Sequence, residues 1–90
     1  MQETSLHTAS HQIILQDRCS LEMTGVSDLA SFDENTVIAT TSMGDLTIRG
    51  HNLNVRLLDL DSGLLTLEGK VEEMSYSESV HGNWLSRLLR

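Results

Sequence analysis

Short runs in which apolar and polar residues alternate make up most of the chain between residues 11 and 77. Alternation with a period of two is typical of strands that bury one face. The predicted runs, in chain order, are HQIILQ, CSLEMTGV, SDLASF, TVIATT, LTIRG, NVRLLDL, LLTLEG and KVEEMSYS. Turn signals recur at intervals of roughly ten residues, which is the spacing expected of a sandwich or barrel. We therefore predict an all-β fold, a small antiparallel sandwich or a partly open barrel.

Four segments rich in Asp, Asn, Ser or Gly predict the connections between these runs. They are Asp17-Arg18, DEN at 33–35, Met43-Gly44-Asp45 and Asp61-Ser62-Gly63. Another interruption comes where Glu72 and Glu73 separate Val71 from Met74, which breaks the alternation. We interpret the two glutamates as a bulge or as a charged edge that opposes strand-to-strand aggregation.

One five-residue pattern occurs three times, at residues 21–25, 46–50 and 65–69. Each copy reads leucine, polar, apolar, polar, glycine, so its two apolar residues are expected on one face of a strand. Each glycine is expected to break or bend its strand, as a bulge or corner requires. We interpret the copies as three similar strands that end at similar corners, with coincidence in so short a pattern as the alternative.

Composition limits the kinds of function that such a fold can have. Ninety residues make one domain with a thin core, and aromatic residues are only 3% of the chain. A ligand pocket or a stacking platform for nucleic acid normally needs more aromatic residues. The net charge of −7 also disfavours a broad contact with DNA or RNA, because phosphates repel an acidic surface.

Charge is distributed unevenly along the chain. Residues 1–78 hold all thirteen acids and four of the six basic residues, a net charge of −9, whereas residues 80–90 carry +2. We therefore divide the chain into a flexible arm (1–10), a β domain (11–79) and a C-terminal amphipathic tail (80–90).

The tail is predicted to be a short amphipathic helix. With Asn83 as its cap, one stripe is apolar and the arginines lie near the C-terminal end. So short a helix is unstable alone in water, so it must pack on its own domain, on a partner or on a membrane surface. We predict docking, through Trp84, Leu85, Arg87, Leu88, Leu89 and Arg90.

A strand that is apolar on both faces indicates contact with another chain. Leu53, Val55 and Leu57 alternate with polar residues, as a half-buried strand should. The residues that make the second face apolar are Leu58, Leu60 and Leu64. Because large exposed apolar patches mark interfaces, we predict a homo-oligomer that associates through this second face.

Catalytic, cofactor-binding and metal-binding motifs are not predicted. Cys19 has the same parity as Leu21 and Met23, which predicts a buried structural thiol, and a single cysteine favours a reducing compartment. The Asp59-x-Asp61-x-Gly63 segment lacks the last ligand of a calcium loop, because its twelfth position is lysine. His7 and His11 have no third ligand nearby, so a solvated arm is the better interpretation.

Neither a secretory signal nor a spanning segment is predicted. The polar N-terminus has no apolar core of signal-peptide length, and no run approaches the roughly 20 apolar residues of a spanning helix. We therefore expect a soluble protein in the cytosol.

Five motifs in this order resemble the YabP family of sporulation proteins (the YabP/YqfC group) from spore-forming Firmicutes. They are HQIILQDR, LEMTGV, SFDE, MGDLTIRG and LEGKVEEMSYS, and WLSRLLR is similar to the ending of family members. The resemblance covers about residues 11–77 and brings no catalytic or ligand-binding residues with it. It implies a non-enzymatic protein of late endospore formation that helps to build the spore envelope, coat and cortex.

The resemblance also implies a place and a companion. The place is the mother-cell cytoplasm at the developing spore surface, and the companion is a membrane-bound sporulation protein similar to YabQ. Two other functions are kept as alternatives: a small ligand-binding β-barrel with a regulatory role, and a hydrolase of cell-wall material that would need paired carboxylates in a cleft.

Overall fold

Six antiparallel strands form one open sheet in the computed structural model, which describes residues 10–78. The strands are β1 (Ile13–Gln16), β2 (Ser20–Met23), β3 (Val26–Phe32), β4 (Thr36–Thr41), β5 (Gly44–Asp59) and β6 (Leu64–Ser77). Their order across the sheet is β1-β2-β6-β5-β4-β3. The described residues contain no helix, so the all-β prediction is confirmed for this part of the chain.

The six strands do not form a sandwich of two separate sheets. Strands β5 and β6, with 16 and 14 residues, run through the whole structure, so nowhere does one sheet stop and another begin. Each was predicted as two shorter strands, which was wrong. The open sheet is closer to the alternative prediction of a partly open barrel. The helix predicted for the tail lies outside the described residues.

The strand that flanks the β5–β6 hairpin changes halfway along it, from β4 beside β5 to β2 beside β6. Residues 44–49 of β5 pair with both β4 and β6. Beyond the middle, residues 54–59 of β5 pair with β6, and residues 65–68 of β6 also pair with β2. Each long strand is therefore central over one half of its length and lies at the margin of the sheet over the other half.

Glycines let the hairpin bend where this exchange occurs. The register shifts between Arg49 and Gly50 and again between His51 and Asn54. A Cβ atom on Gly50 would collide with the Lys70 carbonyl oxygen, so only glycine fits there. The prediction that a glycine bends its strand is thus confirmed at Gly50 and, with a φ of 128°, at Gly69.

The predicted bulge at the paired glutamates is present beside this bend. Arg49 pairs with Glu73 and Gly50 pairs with Val71, so Glu72 is the extra residue on β6. A bulge of this kind bends its strand and increases the local twist.

One hydrophobic core is shared by the two halves of the bent sheet. Its members are Leu21, Met23, Val26, Val37, Ala39, Leu46, Ile48, Leu53, Leu65, Leu67 and Val71. Both apolar residues of every copy of the repeated pattern are buried in it, as predicted. Burying one leucine side chain contributes roughly 1.5–3 kcal/mol, so these residues provide much of the stability of a small domain.

Backbone hydrogen bonds at the corners hold the bent sheet in shape. Val26 N donates to Gly63 O (3.0 Å), which ties the start of β3 to the β5–β6 turn, and Leu53 N donates to Glu34 O (2.8 Å), which ties the middle of β5 to the β3–β4 turn. On the opposite side, Val71 N donates to Arg18 O (2.8 Å), and Arg18 Nε donates to Val71 O (3.0 Å). These contacts join the margins of the sheet without pairing them as strands.

The connection between β1 and β2 is the tight turn that was predicted. Asp17 and Arg18 both have positive φ (52° and 56°), and Cys19 N donates to Gln16 O (3.0 Å). Two central residues with positive φ characterise the type I′ hairpin turn.

Cys19 is exposed, so the prediction of a buried thiol is wrong. The strand alternation that places Leu21 and Met23 inside begins at Ser20. Cys19 is the last residue of the turn, and the parity of a strand does not extend into a turn.

Candidate interaction surface

Residues 54–59 of β5 form an open edge of the sheet, which we call the β5 edge. Strand β4 pairs only with residues 44–49 of β5, so the β5 edge has β6 on one side and no strand on the other within residues 10–78. An edge of this kind presents unpaired N–H and C=O groups that can accept a further strand.

Exposed leucines cluster at the β5 edge and in the turn that follows it. Leu57, Leu58 and Leu60 have exposed fractions of 45%, 38% and 45%, whereas Leu53 is buried. A bulge at Arg56 explains the contrast, since Val55 pairs with Leu67 but Leu57 pairs with Thr66. The extra residue turns Leu57 away from the core, so the expectation that Leu57 continues the half-buried face is wrong.

The three leucines predicted for self-association lie at the same end of the sheet but not on one face. Leu58 lies opposite the buried Leu65, and Leu64 lies opposite Asp59, so these leucines point to opposite faces. Leu60 lies in the turn between β5 and β6. Self-association through them stays a prediction. The docking residues Trp84, Leu85, Arg87, Leu88, Leu89 and Arg90 lie outside the described residues.

The β5 edge differs in charge from the rest of the acidic domain. Residues 46–58 contain no acid, and the edge carries one charged side chain, Arg56, before Asp59. Arg56 Nε lies 3.8 Å from Glu68 Oε1, and both side chains are more than half exposed. A pair at that distance and exposure is weak, so the arginine is available to a second partner.

A second cluster of contacts joins the start of the sheet to its last strand. The His11 ring contacts Thr24 O through Nδ1 (2.7 Å) and Tyr76 Oη through Nε2 (2.6 Å). Because a carbonyl oxygen only accepts, Nδ1 carries the proton that is donated to Thr24. The two rings meet edge to face with centroids 5.7 Å apart.

Sequence reasoning missed this role of His11, because nothing in the alternation places residues 11 and 76 side by side. Beside the cluster is a shallow groove lined by Ser42, Met43, Gly44, Tyr76, Ser77 and Glu78. Within residues 10–78 there is no group of three or more His, Cys, Asp or Glu side chains arranged to hold a metal ion. No helix in this part of the chain is suited to crossing a membrane.

These observations define a small all-β domain, one bent antiparallel sheet with an uncovered strand edge. A model of the YabP family matches residues 7–83. The chain is also 32% identical to the spore protein YabP of Bacillus subtilis (strain 168) over 73 residues, which is 81% of this chain and 73% of that protein. The chain therefore belongs to the YabP family, as the resemblance of its motifs predicted. Homology to a spore protein suggests a role in sporulation.

Proposed function

We propose that this protein is a non-enzymatic assembly factor of late endospore formation that helps to build the spore envelope, coat and cortex. The observation that carries the proposal is 32% identity to a spore protein over most of the chain. An uncovered strand edge with exposed leucines supports an assembly role, because such features are typical of surfaces that join chains.

In this proposal the protein has two kinds of contact. The β domain self-associates, and the tail docks on a partner such as a membrane-bound, YabQ-like sporulation protein or makes peripheral contact with the membrane. The opposite charges of the β domain (−8) and the tail (+2) favour separate partners for the two parts. The place of action is the mother-cell cytoplasm at the developing spore surface.

The alternative of a small ligand-binding barrel has one observation in its favour, the groove beside Met43 and Tyr76. The inner face of the sheet, where barrels usually hold a ligand, is filled by core side chains such as Leu46 and Ile48. Assembly is therefore the better proposal.

A genetic experiment tests the role in the spore-forming host. Deleting the gene is expected to lower the number of heat-resistant spores, because the coat and cortex that protect the spore would then be incomplete. The full chain should restore the number, and a Trp84→Asp, Leu88→Asp double variant of the tail should not. Normal coat and cortex in the deletion strain would contradict the proposal.

Light scattering coupled to size-exclusion chromatography tests the division of labour between domain and tail. The full chain and the same double variant are expected to form the same oligomer, because the β domain associates by itself. A monomeric double variant would show that the tail holds the oligomer together and is not free to recruit a partner.

A further inference from the structure

We propose that the β5 edge pairs antiparallel with the β5 edge of a second copy of this chain. The pairing joins strands β1, β2, β6 and the second half of β5 from each copy into one continuous sheet. This inference rests on the self-association in the proposed function and assigns it to a backbone edge, whereas the sequence predicted a second apolar face.

Unpaired backbone groups are the first reason. In residues 54–58, the N–H and C=O groups that point away from β6 have no backbone partner among residues 10–78. A strand added to the edge would satisfy them without moving the core, as in other cases of strand addition.

The other margins of the sheet carry more protection than the β5 edge, which has one bulge and two charged residues, Arg56 and Asp59. Strand β1 is short, with four residues, and β3 contains two register shifts. The second half of β6 carries Glu72 and Glu73, and Tyr76 is held there by His11. Short length, bulges and charges are the usual devices against edge pairing. The β5 edge has one bulge, no lysine and no proline, and its leucines are exposed.

Charge favours a second copy as the occupant. Two β domains of net charge −8 (residues 11–79) repel each other over most of their surface, but residues 46–58 carry two arginines and no acid. Repulsion between acids is therefore lowest where the β5 edges meet, and antiparallel pairing runs Arg56 of each copy toward the end of the mate's edge that carries Asp59. A two-fold axis makes each edge the complement of the other, and it brings Leu57 and Leu58 of each copy against the same leucines of its mate.

A matched pair of substitutions tests the proposal in the full chain. Leu57→Lys places a charge on the β5 edge, and Ile14→Lys is its control. Ile14 belongs to the same row across the sheet (Ile14, Glu22, Thr66, Leu57), and its exposed fraction is 51% against 45% for Leu57. Both side chains lie on the outer face of a marginal strand, so both variants should fold, which circular dichroism can verify.

Sedimentation velocity over a range of concentrations supplies the readout. The wild type and Ile14→Lys are expected to associate alike, whereas Leu57→Lys should raise the dissociation constant by more than about tenfold, because like charges then face each other across the two-fold axis. Hydrogen exchange should show amides of residues 54–58 that become slower as wild-type concentration rises.

Each other outcome overturns the proposal in a distinguishable way. A wild type that stays monomeric removes self-association altogether. Equal association of wild type and Leu57→Lys removes the edge but leaves self-association elsewhere, and weakening by Ile14→Lys alone moves the interface to β1. Protection, in a sample shown to be monomeric, of those amides of residues 54–58 that point away from β6 would show that another segment of the same chain covers the edge.

Discussion

The two halves of the β5–β6 hairpin have opposite arrangements of the same two strands. In the first half, β5 is central between β4 and β6, and the outer strand is β6 with Glu72 and Glu73. In the second half, β6 is central between β2 and β5, and the outer strand is β5 with Leu57 and Leu58. One margin is guarded by acids and the other presents leucines.

The difference shows that the bend at Gly50 decides which residues become edge residues. The bend turns residues 54–59 away from β4, which begins at Thr36 opposite Arg49, so no strand of residues 10–78 pairs with that side of the second half of β5. Exposure in this hairpin is thus set by the bend at Gly50 together with the bulge at Arg56.

Gly50→Ala is expected to have the largest effect, because it removes the bend that separates the two halves. The new Cβ would collide with the Lys70 carbonyl oxygen, a backbone atom that cannot rotate away. We expect a loss of at least about 3 kcal/mol in the free energy of unfolding, measured by urea denaturation. Thr47→Ala, on the outer face of the same strand, is the control. An unchanged urea midpoint for Gly50→Ala would refute the close approach of the two strands.

The second largest effect is expected from replacing a leucine in each half of the hairpin by alanine and comparing the losses in the free energy of unfolding. Leu46→Ala leaves a cavity in the core and is expected to lower the unfolding free energy by about 2–5 kcal/mol. Leu57→Ala, at an exposed position, should change it by about 0.5 kcal/mol or less at concentrations where the chain is monomeric. Similar losses in both variants would mean that the β5 edge is covered in the monomer.

Tyr76→Phe tests how strongly the second half of β6 is held to His11, at the start of the sheet. It removes the hydroxyl that bonds His11 Nε2 and should cost roughly 1 kcal/mol in a thermal or urea unfolding experiment. In a His11→Ala background the same substitution should cost almost nothing, because its partner is already gone. An equal cost in both backgrounds would show that the hydroxyl acts through something other than His11.

The smallest expected difference is between the losses of unfolding free energy caused by replacing Arg56 and by replacing Arg18. Arg56→Ala breaks only an exposed ion pair at 3.8 Å and should change the unfolding free energy by less than about 0.5 kcal/mol. Arg18→Ala removes a hydrogen bond to the Val71 carbonyl and should cost about 1 kcal/mol. The reverse order of the two losses would show that the β5 edge depends on its arginine for stability.

Much of the fold could be predicted from the sequence because alternation reports directly on burial. All three copies of the repeated pattern bury their apolar residues, and TVIATT forms β4 at the residues expected. The DEN turn is also present, with Asp33 Oδ1 accepting from Asn35 N and Thr36 N (2.8 and 2.9 Å). These are local features, and local sequence contains their causes.

The remaining errors come from interactions between distant residues. A glycine that bends a strand and a glycine that ends one look alike in sequence, so β5 and β6 were each divided in two. Unbroken alternation would place Leu57 on the half-buried face with Val55. The bulge at Arg56 reverses the alternation after Val55, so Leu57 points away from the core. The β5 edge could not be predicted either, because a strand is an edge only if no other strand pairs with it, and the local sequence does not show which strands pair.

The strand order has a consequence for how the chain assembles as it is synthesised. Four of the five strand pairings join neighbours in sequence, and the exception is β2 with β6. Among the strands of residues 10–78, β1 and β2 are synthesised first, whereas the inner neighbour of β2, residues 65–68, belongs to the strand that is synthesised last. A single long-range pairing of this kind is slow to form. The β1–β2 hairpin must therefore wait for β6, with Leu21 and Met23 uncovered until β6 is available.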